Sequence, residues 1–181
     1  MKKQVLFIHG GGDDGYGEDA KLAASLQKEL GDDYEITYPQ MPSIDDSPDF
    51  GWLKQIEEEI SRLKDGAFWV GHSLGASMLL KYLSENKVQK KAAGIFLIAP
   101  PFWHGKEEWK QGLKLQKDFA ENLPKAFPIF VYYCLDDEVV PQDQFATYKQ
   151  QMPWATFREI ESGGHQLDNN LTPVSTDIKS L

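Results

Sequence analysis

The sequence predicts an α/β fold: a three-layer α/β/α sandwich on a mostly parallel sheet of about six strands. Three observations carry that expectation. Short β-branched and aromatic runs alternate with helix-length segments. Apolar residues within those segments recur every three or four positions. Crossovers between neighbouring parallel strands are right-handed, which leaves few other layouts. At 181 residues the chain is the size of one domain, and no shift in composition marks a second, so residues 1–181 are expected to form a single domain.

The apolar runs expected as strands are Val5 to Ile8, Glu35 to Tyr38, Ala67 to Val70, Gly94 to Ala99, Ile129 to Cys134 and Phe157 to Ile160. Between the first two, Leu22, Leu26 and Leu30 stand four apart on one helical face. Leu53, Ile56, Ile60 and Leu63 mark a second helix, for which Ser47-Pro48 is expected to supply the cap and a first-turn proline. A third, Ala76 to Leu83, follows the third strand, and Pro141 opens another that Pro153 closes. The segment 101–124 breaks this rhythm, with Trp103, Trp109, Leu113 and Phe119 among many lysines and glutamates. Its Leu115, Phe119 and Leu123 spacing suits a helix, and two readings stay open: a flap over the site, or a cover for one sheet face.

Composition narrows the function. Apolar residues at 41% with 15 glycines are ordinary for a globular chain and exclude disordered and collagen-like classes. A net charge of −9 opposes a grip on nucleic acid or an anionic membrane, so neither is expected as a partner. No apolar run approaches a membrane span and none at the start has signal-peptide form, so a cytoplasmic location is expected. The single cysteine, Cys134, cannot form an internal disulfide and reads as a small buried hydrophobe.

The chemistry-bearing signal is Gly71-His72-Ser73-Leu74-Gly75, set between a buried strand and an apolar helix. A G-x-S-x-G turn in that context holds its serine in a strained conformation at the sheet's carboxyl edge, with a helix N-terminus to stabilise negative charge. A serine hydroxyl needs a base, usually histidine, oriented by a carboxylate. Of four histidines, His9 ends the first strand, His72 lies inside the turn facing away from the hydroxyl, and His104 falls in the irregular segment. His165, on the Gly163-Gly164 loop after the last strand, is therefore the expected base. The acid is expected in Asp136-Asp137-Glu138 after the fifth strand. Successive residues there point to opposite sides, and Asp137, leading into Val139-Val140-Pro141, is favoured over Asp136. His9-Gly10-Gly11-Gly12 offers a backbone donor for an oxyanion, Gly11 first, with Leu74 as the second donor. The glycine run matches a nucleotide-binding loop only in part, and no lysine follows in the required spacing. Paired aspartates elsewhere lack metal-ligand spacing, so neither metal nor cofactor is expected. Trp52, Trp69 and Trp154 are read as core, while Trp103 and Trp109 are candidates to wall a substrate pocket.

Together, Leu6-Phe7-Ile8-His9-Gly10, Val70-Gly71-His72-Ser73-Leu74-Gly75-Ala76, Asp137 to Pro141 and Gly164-His165 resemble an α/β-hydrolase, with the same Ser, Asp, His order. Among such proteins the chain is most similar to the compact serine hydrolases related to retinoblastoma-binding protein nine. The resemblance covers nearly the whole chain. It implies a minimal fold without a large cap domain, and a serine hydrolase cleaving a small carboxylic ester or thioester through an acyl-enzyme on Ser73. Two features depart from the pattern: Tyr132-Tyr133-Cys134 stands where a glycine often precedes the acid, and 101–124 has no counterpart. An acyltransferase using the same residues, or a binding protein that keeps the fold with little chemistry, are the alternatives.

Overall fold

The computed structural model describes residues 2–181. Six parallel strands form one sheet: β1 (Lys3–Ile8), β2 (Tyr34–Thr37), β3 (Ala67–His72), β4 (Ala92–Ile98), β5 (Ile129–Cys134) and β6 (Thr156–Ile160), ordered β2-β1-β3-β4-β5-β6. The central strands are apolar on both faces because both are covered, as parallel sheets require. One face, with Val5, Phe7, Phe68, Val70 and Phe96, packs against α1 (Gly15–Leu30) and α6 (Thr172–Lys179). The other, with Leu6, Ile8, Trp69, Ile95 and Leu97, packs against α2 (Trp52–Arg62), α3 (Leu74–Glu85) and α5 (Gln142–Gln151). A one-residue alternation along each strand thus feeds two separate cores.

Leu22, Leu26 and Leu30 are buried on α1, which is capped by the Asp14 carboxylate accepting the Gly17 N–H at 3.2 Å. The second helix starts later than Ser47-Pro48 suggested. Its cap is Gly51, at φ +83°, and Asp49 receives the Leu53 N–H at 2.8 Å, while Ser47 braces the preceding turn by accepting the Gly51 N–H. The segment 101–124 is not one helix. It holds a 3-10 turn, Glu108–Leu113, and a single α-turn, α4 (Phe119–Asn122), with Leu113, Phe119 and Leu123 buried against α3 and its neighbours. Trp52 and Trp69 are buried, whereas Trp154 is 42% exposed with the Lys125 ammonium 4.2 Å over its ring, correcting its assignment to the core. The helix α6 has no counterpart among the expected elements. Its Asp177 accepts hydrogen bonds from the Tyr132 hydroxyl at 2.7 Å and from Arg158, locking the C-terminal helix to β5 and β6.

Candidate active site

All the chemistry-bearing residues singled out in the sequence, except those of 101–124, lie just beyond the carboxyl ends of β1, β3, β5 and β6. Ser73 sits between β3 and α3 at φ 49°, ψ −120°, a conformation that L-residues adopt only under constraint. The constraint is visible: its N–H donates to the Ile98 carbonyl at 2.8 Å, and its own carbonyl accepts the Ala76 and Ser77 N–H groups. Gly75 permits the turn, because a Cβ there would stand 2.4 Å from the His9 carbonyl oxygen.

Asp137 and His165 meet across two loops. The His165 Nδ1 lies 2.9 Å from Asp137 Oδ2, while Asp137 Oδ1 accepts the Val139 and Val140 N–H groups at 2.8 and 2.9 Å. A carboxylate already accepting two N–H groups calls for a donor, so Nδ1 carries the proton and Nε2 is left as the basic nitrogen. The Asp137 side chain is only 1% exposed, and that of His165 14%. Burial works to raise the Asp137 carboxyl, but the His165 and backbone hydrogen bonds outweigh it and hold the group below its ordinary value. Asp136 turns the other way and accepts the Gly163 and Gly164 N–H groups at 3.2 and 2.9 Å, bracing the backbone that carries His165. This bracing role was not foreseen in the sequence.

The loop after β1 is equally fixed. His9 Nδ1 donates to the Gly10 carbonyl at 2.6 Å and its Nε2 accepts the Met41 N–H at 2.9 Å, so the ring is neutral, in keeping with a pKa that burial lowers. Because a trans peptide sets N–H opposite C=O, holding the Gly10 carbonyl also fixes the direction of the Gly11 N–H. Gly11 packs against Leu74, whose own N–H is among those left without an intrahelical acceptor at the start of α3.

Two cavities flank this centre. One of about 250 Å³ is lined by Ser73, Phe102, Trp103, His104, Val140 and Gln144. The other, of about 480 Å³, lies along Gly11, Leu74, Tyr16, Met41, Phe50 and Trp52. Trp103 is anchored where it stands, its indole N–H donating to Ser77 Oγ at 3.0 Å. Trp109 is not among the lining residues of either cavity. It is 54% exposed and packs edge-to-face on Trp103, with ring centroids 5.7 Å apart. Cys134 is buried, and burial pushes its thiol up to about 11, with Asp136 and Asp137 adding to the effect.

A model of the family described as serine hydrolase matches residues 14–172. The chain belongs to the serine hydrolase family. This serine hydrolase is 26% identical over 185 residues to YdeN of Bacillus subtilis (strain 168), covering 93% of this chain and 88% of that one. The YdeN crystal structure superposes with a TM-score of 0.74 at 22% identity, covering 99% of this chain and all of the other. A thioesterase domain from the curacin biosynthetic pathway matches with a TM-score of 0.70 at 17% identity, over 98% of this chain and 91% of the other. Est1E from Butyrivibrio proteoclasticus, bound to ferulic acid, gives 0.70 at 15% identity, over 98% and 87%. These structural likenesses establish an α/β-hydrolase fold, and family membership makes the protein a hydrolase. No helix among the described residues is long and apolar enough to cross a membrane.

Proposed function

We propose that this serine hydrolase cleaves a small carboxylic ester or thioester through an acyl-enzyme on Ser73. The observation that carries the reading is the Asp137–His165 pair, fixed in the tautomer that leaves Nε2 basic, on a loop adjoining the strained Ser73 turn. Ser73 Oγ attacks the carbonyl carbon as His165 Nε2 takes its proton. The oxyanion receives the Gly11 and Leu74 N–H groups, a contribution of roughly 3–4 kcal/mol per donor in comparable sites. The C–O or C–S bond breaks as His165 returns the proton to the leaving alcohol or thiol. Water, deprotonated by the same nitrogen, then attacks the acyl carbon, and the carboxylic acid leaves with Ser73 restored.

The cavity beside Ser73, at about 250 Å³, lies below the range of about 300–1,000 Å³ typical of drug-sized ligands and suits a compact substituent. The segment 101–124 forms one wall of it through Phe102, Trp103 and His104 within a single domain, held by the Gln144 and Tyr148 side chains bonding the backbone of Phe102 and Pro101. The thioesterase domain among the structural relatives, and the carboxylic acid bound by Est1E, accord with acyl chemistry. A purely binding role has no use for a strained Ser73. The test is labelling with a fluorophosphonate probe beside Ser73→Ala and His165→Ala, with the modified peptide located by mass spectrometry. Labelling at Ser73 that both substitutions abolish is expected; absence of labelling in folded wild-type protein overturns the reading.

A further inference from the structure

Behind the candidate triad lies a second acid–imidazole contact that the mechanism does not use. Asp19, on α1, and His72, immediately before Ser73, each have only 1% of their side chain exposed, and Asp19 Oδ2 stands 2.6 Å from His72 Nδ1. Asp19 Oδ2 also accepts the Gly10 N–H at 2.6 Å, and Oδ1 accepts the Gln166 amide at 3.1 Å. On its far side, His72 Nε2 lies 3.0 Å from the His165 carbonyl oxygen.

The proton count follows from the partners. A carbonyl oxygen cannot donate, so His72 Nε2 carries a proton. Burial works to raise the Asp19 carboxyl, but the His72, Gly10 and Gln166 hydrogen bonds outweigh it and hold the group below its ordinary value, so the ionised carboxylate is the acceptor and Nδ1 the donor. Both ring nitrogens then bear hydrogen, and the imidazole is a cation facing an anion. His9, the nearby titratable group on the β1 loop, is neutral by its own hydrogen bonds and brings no competing charge. His165 packs on the same ring, with centroids 4.9 Å apart.

We propose that Asp19 and His72 are a buried carboxylate–imidazolium pair that positions the site, tying the Gly10 loop, the Ser73 turn and the His165 loop to one another. They are positioning residues: the pair holds His165 by its backbone and Gln166 by its side chain, and fixes Gly10 from the N–H side while His9 holds its carbonyl. This rests on the reading of Ser73 and His165 given above. A neutral isostere cannot replace the carboxylate without loss. With Asn at 19, either an uncompensated imidazolium stays buried, or His72 gives up a proton. If it keeps the one on Nδ1, Nε2 turns a lone pair on the His165 carbonyl; if it keeps the one on Nε2, the Asn amide must turn its NH2 on the Gly10 N–H.

Nitrogen-15 NMR of the full-length wild-type protein at neutral pH reads the pair directly. Both His72 ring nitrogens are expected to be protonated; one unprotonated nitrogen overturns the proposal and requires no variant to fold. In Asp19→Asn, checked for folding by circular dichroism, hydrolysis of p-nitrophenyl acetate is expected to lose about ten- to a hundredfold in kcat, the scale of a misplaced catalytic group, with KM little changed. Fluorophosphonate labelling of Ser73 is expected to slow in parallel. Folded Asp19→Asn that reacts as fast as wild type overturns the positioning role alone. Wild-type protein that does not react at all overturns the reading of Ser73 beneath it.

Discussion

Ser73→Gly is expected to be more stable than Ser73→Ala, although both lack the hydroxyl and neither can form an acyl-enzyme. The two variants differ by one methyl group, and that methyl sits on a backbone at φ 49°, ψ −120°. The backbone has little room to relax, since the N–H is held by Ile98 and the carbonyl by Ala76 and Ser77. Strain of this kind in a non-glycine residue costs about 1–3 kcal/mol. Glycine removes it but restores freedom to the unfolded chain, a loss of roughly 0.5–1 kcal/mol relative to alanine. The midpoints of these two ranges differ by about 1.2 kcal/mol in favour of glycine. For a chain of this size that is a rise in Tm of roughly 2–5 °C. Differential scanning calorimetry of the two variants measures it, with urea unfolding to check that m is unchanged. A Ser73→Gly protein no more stable than Ser73→Ala would refute the strain argument, and with it the claim that the turn is held against its own preference.

Two further predictions concern the surroundings of that turn. Acid should destabilise the protein in two steps. Burial depresses His9, so between its folded value and 6.5 the unfolded chain binds a proton that the folded chain refuses, and stability falls as pH drops below 6.5. Asp19 and Asp137, also depressed, contribute stability that is intact above 3.8 and is lost as pH falls through their lower folded values. The urea midpoint followed against pH should show both windows, and His9→Gln should flatten the first; a midpoint independent of pH between about 7 and 5 contradicts the neutral-His9 assignment. The two tryptophans of 101–124 should separate: Trp103→Ala raises KM for a compact ester because it removes a wall of the Ser73 cavity. Trp109→Ala costs about 1 kcal/mol of stability through the lost ring pair and leaves KM in place. Equal effects on KM would mean that both rings meet substrate.

What the sequence made legible was local. A buried parallel strand is a continuous apolar run, so Ile129 to Cys134 could be bounded from its residues alone. The serine turn announces itself because both glycines and the serine are neighbours in the chain. Boundaries were lost where a distant group decides them. Ser47-Pro48 looks like a helix start, yet the chain makes one more turn before the Gly51 cap, and Asp49 in that turn accepts the Leu53 N–H. The spacing of Leu115, Phe119 and Leu123 suits a helix, but the preceding stretch must pass close to the turn at 47–51: a Cβ on Gly112 would fall 1.8 Å from the Pro48 carbonyl oxygen. Trp154 has the composition of a core residue and lies on the rim, where Lys125 covers it.

The site divides along the same line. Ser73, Asp137 and His165 belong to short motifs whose order carries information, whereas Asp19 stands in the second turn of α1, in Gly17-Glu18-Asp19-Ala20, with no signature around it. Its sequence neighbours are exposed, and an acid in the first turns of a helix ordinarily faces water and the dipole. It becomes a buried ligand of three loops only because α1 crosses behind the ends of β1 and β3, bringing the carboxylate to His72 across 53 residues of chain. A residue whose role is to join loops has its pattern in the fold and not in its own segment. His72 shows the converse: it was recognisable as turned away from Ser73, but what it faces could be known only once α1 was in place.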